Sequence, residues 1–209
     1  MPERRGLTRE IVVTTAAALM DKAGNPDKIT LADLAAHFHV KVPSLYNHVN
    51  GIVDLRDAVA LHTYQQFDAA LRDAVIGRSA DEALMATALA ARRFAQEHPG
   101  LYPLLVRPVG ETFSGPGQRI IDVLMTIMAA YNLSDSDALH AIRGLRSIMH
   151  GFVDIERSGG FGLPLDLDES YRRLVTVFIK GLRNKEIVGS LGETERRGDR
   201  RKSRKKREN

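Results

Sequence analysis

Apolar and polar positions alternate at helical spacing along most of this chain. Thr8 and Leu7 form a helix entry, the first as a cap and the second able to staple onto Val12. Ile11, Thr15, Ala18, Leu19 and Ala23 continue as a stripe that Gly24 ends. Thr30 opens a second helix, with Asp33 in the capping-box position and Leu31, Leu34, Ala35 and Phe38 on one face. After His39 and Val40, Pro43 suits the first turn of a third, very short helix. Asn50-Gly51 precedes a long fourth helix over about residues 52–75, with Leu55, Val59, Leu61 and Phe67 available for packing.

Ser79-Ala80-Asp81-Glu82 is another capping box and opens a helix through Phe94 that must end before His98-Pro99-Gly100. A short helix from Leu101 to Val106 leads into a loop containing Pro108, Gly110, Gly115, Pro116 and Gly117. Ile120, Ile121, Leu124, Met125, Ile127, Met128 and Tyr131 make the next helix apolar nearly all round, which predicts a central position. Two more helices, over about 136–157 and 168–184, are joined by SGGFGLPLDL. From Gly189 the chain is poor in apolar residues and is expected to be disordered. The expectation is an all-α fold of about nine helices, with no repeat and no strand.

Composition sharpens this in two ways. The chain has no cysteine, which excludes disulfides and thiolate metal sites, and no apolar run reaches the ~18–20 residues that a membrane helix needs. Residues 1–10 lack the apolar stretch of a signal peptide, so a cytoplasmic protein with no membrane partner is expected. The formal charge of +4 is unevenly spread: residues 196–209 carry +7, leaving −3 for the rest. That basic tail is compatible with non-specific attraction to DNA and equally with a solvated end of no role, and it says nothing of the folded part.

The informative stretch is ITLADLAAHFHVKVPSLYNHV, residues 29–49. Two short helices around a tight turn, the second about seven residues long, have the spacing of a helix-turn-helix. The second presents Lys41, Ser44, Tyr46, Asn47 and His48, while Leu45 and Val49, four apart, can hold it to a core. A short helix with so much exposed polarity needs a partner, and a major groove has about the right width. His37, His39 and His48 do not make a metal set, since His37 and His48 fall on different helices and no carboxylate or thiol completes one. No cofactor is expected.

Residues 7–59 resemble the DNA-binding domain of the TetR/AcrR family of repressors, through Thr30, Leu34-Ala35 and Leu45-Tyr46-Asn47-His48. The resemblance implies a helix-turn-helix domain over 1–50, a helical ligand-binding and dimerisation domain over 51–188, and leaves 189–209 as the basic tail. It implies a homodimer on a palindromic double-stranded DNA operator, released by a small-molecule effector. It places Lys41, Val42, Pro43 and Tyr46 against bases, and Thr30, Ser44, Asn47 and His48 against phosphate and sugar. Val42 and Pro43 have no hydrogen bond to offer, so they could read only a thymine methyl or local shape. Arg4 and Arg5 resemble the family's basic arm.

The sequence departs from the family at two places. A glycine is usual in the turn, where His39 stands, and a lysine is usual just inside the fourth helix, where Ile52 stands. Farther on, RRFAQEHPGLYPLL (92–105) and MHGFVDIE (149–156) resemble a C-terminal domain named for a Trp-His-Gly signature, of which His150-Gly151 are present. His140 and His150 are expected to pack at a dimer interface; Met125, Met128 and Met149 suit either a core or an adaptable pocket. Arg143 and Arg146 suit an acidic ligand, a salt bridge or a dimer edge. The alternatives are a DNA-binding regulator with no ligand, or a helical enzyme, for which no triad, carboxylate pair or phosphate loop has usable spacing.

Overall fold

The computed structural model describes residues 6–106 and 115–184. The arm at Arg4-Arg5, the loop positions Pro108 and Gly110, and the tail from 189 lie outside the described residues. Among the described residues there are eight α-helices and no strand: α1 Arg9–Lys22, α2 Leu31–His37, α3 Val42–Leu45, α4 Ile52–Val75, α5 Ala80–Glu97, α6 Pro116–Met128, α7 Asp135–Arg157 and α8 Leu167–Arg183. The short helix expected over Leu101–Val106 is instead a single 3-10 turn, Tyr102–Leu105. Pro103 has no N–H to continue an α-helical ladder, and the Val106 N–H closes the tighter ring onto the Pro103 carbonyl.

Contacts divide the described residues into two compact units: those up to Ile76 with those of Leu89–Val123, and those of Gly77–Ala88 with those from Leu124 to Asn184. In the first unit Thr8 caps α1 as expected, its hydroxyl accepting from the Ile11 N–H at 3.2 Å. The buried face of α1 is Val12, Val13, Ala16, Ala17 and Met20, one position on from the predicted stripe, and Ala18 is exposed. The two phases compete in a run of small residues, and the one carrying two valines and a methionine removes more apolar area from water. On α4, Leu55, Val59 and Phe67 are buried as expected, but Leu61 is exposed because it lies two residues from Val59, on the opposite side of the helix.

The core of the first unit joins Val12, Met20, Leu34, Leu45, Val49, Leu55 and Val59 with Leu101 and Leu104 from beyond α5. That later segment is tied to the end of α1 by polar contacts. Asp21 accepts from the Gly100 N–H at 3.0 Å and from His98 Nδ1 at 2.8 Å. The Tyr64 hydroxyl donates to the Leu105 carbonyl at 2.9 Å. Gly100 is required for this approach, because a Cβ there would overlap the Met20 carbonyl oxygen.

In the second unit α7 buries Ala138, Ile142, Leu145, Met149, Phe152 and Val153, and α8 buries Tyr171, Val175, Ile179 and Leu182. The two helices pack on each other, and a Cβ at Gly144 would stand 3.3 Å from the Phe178 ring. The Tyr171 hydroxyl donates to the Ala88 carbonyl at 2.9 Å. Helix α5 begins at Ala80 with a φ of 47°, and the Asp81 carboxylate accepts from the Tyr131 hydroxyl at 2.7 Å and from Arg183 Nε at 3.0 Å. Helix α6 is not enclosed as predicted. Leu124, Ile127 and Met128 are buried, but Gln118, Asp122 and Thr126, four apart, make an exposed polar stripe.

Gly100→Ala forces backbone apart and not a flexible side chain, so it should destabilise the fold by about 3 kcal/mol or more. For a chain of this size that lowers the melting temperature by roughly 6 °C or more. A circular dichroism melt within about 1 °C of wild type would contradict the docking of this segment on α1.

Candidate nucleic-acid interface

The interface is built from residues that cap, turn and anchor. Thr30 opens α2 with a reciprocal capping box: the Asp33 N–H donates to Thr30 Oγ1 at 3.3 Å, and Asp33 Oδ2 accepts from the Thr30 N–H at 2.9 Å and the Thr30 hydroxyl at 2.6 Å. This fixes where α2 starts, and Leu34 and Ala35 dock it in the core. The chain then reverses at His39, whose φ of 55° is left-handed. A histidine there costs about 1 kcal/mol relative to glycine. The His39 N–H still donates to Ala36 and the Val40 N–H to Ala35, so the turn keeps its backbone bonds.

Helix α3 is only four residues long, shorter than the seven expected, and carries Pro43 in its first turn with no side-chain cap. The Tyr46, His48 and Val49 N–H groups continue it as further turns onto the Pro43 and Leu45 carbonyls. Leu45 and Val49 are buried in the core, which leaves Lys41, Pro43, Tyr46 and Asn47 on the outside; Tyr46 is 56% exposed. Ser44 and His48 are half-buried, and Val42 is partly packed against the core. Thr30 is exposed at the start of α2. Tyr46 thus offers both a ring face and a hydroxyl to whatever meets this turn. His37, His39 and His48 join no group of metal-binding side chains among the described residues.

One contact was not foreseen from the sequence. Arg9, at the start of α1, forks onto Asp54 in the first turn of α4, with Nη2 to Oδ1 at 2.7 Å and Nη1 to Oδ2 at 2.9 Å. The same Nη1 donates to the His48 carbonyl at 2.7 Å, and the Asn50 N–H donates to Asp54 Oδ2 at 2.6 Å. Gly51, with a φ of 96°, gives the bend that brings Asn50 and Asp54 together. Hydrogen bonds from Arg9, then from the Asn50 N–H, hold the Asp54 carboxyl down to about 2. The two residues are far apart in sequence, so only the packing of α1 on α4 reveals the pair.

Elsewhere in the first unit Asp68 is buried on α4, with Arg119 Nε at 2.9 Å and Arg72 Nε at 3.4 Å. In the second unit Arg143 and Arg146 are exposed, Met149 and Met128 are buried, and Met125 is half-buried. Burial, with the nearby charge of Arg146 adding to it, pushes His150 down to about 4, so its imidazole is neutral at neutral pH. His140 is exposed. No helix among the described residues is long and apolar enough to cross a membrane.

Comparison with known proteins agrees with the fold. Residues 84–178 match the sequence family described as "Tetracyclin repressor-like, C-terminal domain". YobS of Bacillus subtilis (strain 168), described as an uncharacterized HTH-type transcriptional regulator, is 33% identical over 192 residues, covering 90% of this chain and all of YobS. Among solved structures, a protein of unknown function from Rhodococcus sp. RHA1 superposes with a TM-score of 0.73 at 24% identity, covering 88% of this chain and all of that one. ActR of Streptomyces coelicolor, solved in complex with actinorhodin, superposes with a TM-score of 0.62 at 20% identity, covering 85% of this chain and 97% of that one.

Because the Asp54 carboxyl titrates at about 2 when folded against an ordinary 3.8, the folded chain holds that proton less readily than the unfolded one. The clamp therefore stabilises the fold fully above the ordinary value and loses that contribution as the pH falls toward about 2. Asp54→Asn should melt below wild type at about pH 6, and the gap should narrow by about pH 2.5. A gap independent of pH would show that the carboxylate charge is not what holds Arg9.

Proposed function

The chain belongs to the TetR family of helix-turn-helix transcriptional regulators, and we propose that it is a repressor that binds a palindromic operator as a homodimer and leaves it when a small molecule binds the helical C-terminal domain. The observation that carries this reading is the turn from Lys41 to His48, held by buried Leu45 and Val49 while Tyr46 stands open. In this reading Lys41, Val42, Pro43 and Tyr46 meet base edges, while Thr30, Ser44, Asn47 and His48 meet phosphate and sugar. Phosphate contacts set the register and base contacts set the sequence. Val42, half-buried, has only its outer methyl surface to offer, which suits shape or a thymine methyl.

Release follows from geometry. Two reading turns must reach grooves about one helical turn apart, so an effector that favours a conformer with another spacing weakens binding. A ligand-bound relative, ActR with actinorhodin, supports a small-molecule effector of this kind. The dimer is a condition for tight binding, because one head alone neutralises few phosphates.

The surface open to that dimer is limited by what each protomer already buries. Ile142, Leu145, Met149 and Phe152 of α7, and Val175 and Leu182 of α8, are buried within the protomer. What remains on α8 is Leu174, Val177, Phe178 and Gly181, at i, i+3, i+4 and i+7, with Val177 69% exposed and Phe178 lying against Gly144. We infer that this face meets its mate across a two-fold axis.

Two substitutions test the reading. Tyr46→Ala should weaken retention of DNA fragments selected from a random pool by about 10-fold or more at fixed salt, with the melting temperature unchanged. Equal retention would sink base reading by this turn. Val177→Glu puts a charge on the exposed α8 face without entering the protomer's core. It should convert the dimer to monomer in light scattering and abolish tight retention. A variant that stays dimeric would move the interface elsewhere.

A further inference from the structure

Arg9 stands where three pieces of chain meet: the start of α1, the end of the reading turn at His48, and the first turn of α4 at Asp54. Its three hydrogen bonds use three of the five guanidinium N–H donors, in the planar fork that suits a carboxylate. Half-exposed ion pairs add little to stability as a rule, and the Arg9 side chain is 50% exposed. Geometry and charge at the reading surface are therefore its main consequences.

The geometric consequence concerns His48. Helix α3 is four residues long and has no side-chain cap, so little regular structure holds the segment that follows it. The His48 carbonyl is gripped at 2.7 Å by Arg9, immediately before the buried Val49. Burial of Leu45 and Val49 fixes one side of the reading turn, and Arg9 fixes the other.

The consequence for charge concerns Asp54. Ile52, the first residue of α4, leaves this helix start without a basic side chain of its own, while Asp54 puts a carboxylate there. An uncompensated carboxylate beside a DNA backbone repels it. Arg9 cancels that charge by direct contact from another helix.

Resting on the proposed DNA-reading function, we propose that Arg9 is a positioning residue for operator binding: it sets the end of the reading turn through His48 and shields DNA from Asp54. The role belongs to no base pair, so its loss weakens all sequences alike and leaves the preferred site unchanged. It also makes the effect of Arg9 depend on Asp54. Removing Arg9 alone bares a carboxylate, and removing the carboxylate as well takes the repulsion away.

The test is a double-mutant cycle on the full chain, read by titration of a DNA fragment that wild type selects from a random pool. Arg9→Ala should bind at least about 10-fold more weakly than wild type, with the same preferred sequence. Arg9→Ala with Asp54→Asn should bind several-fold more tightly than Arg9→Ala, while melting no higher. A merely structural arginine would not give that recovery. Arg9→Lys, which keeps the charge and loses the fork, should fall between wild type and Arg9→Ala and serves where the alanine variant does not fold. Arg9→Ala within about twofold of wild type, no recovery in the double variant, or a changed preferred site would each overturn the proposal. If wild type selects no DNA at all, the function itself fails; if wild type and Tyr46→Ala behave as expected and Arg9→Ala binds like wild type, only this inference fails.

Discussion

The rest of the structure depends on the burial of Leu45 and Val49. A helix of four residues is far below the length at which helices hold themselves in water. The reading turn exists because two side chains on its inner face enter a core shared by α1, α2 and α4, and because the outer face is thereby freed of any structural duty. Truncating Leu45 in such a setting costs about 2–5 kcal/mol by the usual measure of buried leucines, a large share of a domain's stability. Exposure of Lys41, Pro43, Tyr46 and Asn47 is the other half of the same arrangement.

That core is not supplied by the first fifty residues alone. Leu55, Val59 and Ala60 come from α4, and Leu101 and Leu104 come from the segment after α5. The Asp21 carboxylate, holding both His98 and the Gly100 N–H, fastens that segment to the end of α1. His98 in turn lies against Phe94 with ring centroids 4.6 Å apart, and Phe94 against Phe67 at 5.2 Å. A change in the position of the later part of α5 thus has a packed route to α1, through aromatic rings and one carboxylate. Cores with two discrete arrangements transmit displacement in this way, because tightly packed interiors deform little.

Much of this was legible in the chain because its signals are local. Thr30 with Asp33, Pro43 at the start of α3, and the apolar spacing of α2 all act within a few residues, and each appears as read. His39 stands where the resembled family usually has glycine, and its φ of 55° is the left-handed conformation that glycine adopts most easily. The phase of α1 was misread because Ala16, Ala17 and Ala18 weigh almost equally in any stripe, so the choice rests with the valines and Met20. The breadth of α6 was overestimated because the polar series Gln118, Asp122, Thr126 is masked by the isoleucines beside it. Arg9 with Asp54, and Asp21 with Gly100, could not be read at all: each pair joins residues dozens of positions apart, and tertiary packing alone brings them together.

The central claim is that the surface from Lys41 to His48 reads DNA. Nuclear magnetic resonance of the amides, followed while a fragment selected by the protein is added, tests it directly. The account predicts that the largest shifts fall at Lys41, Val42, Ser44, Tyr46, Asn47 and His48 and at Thr30, with Leu34 and Leu55 in the core behind them nearly still. Shifts confined to the basic residues 196–209, with the reading turn unmoved, would contradict it.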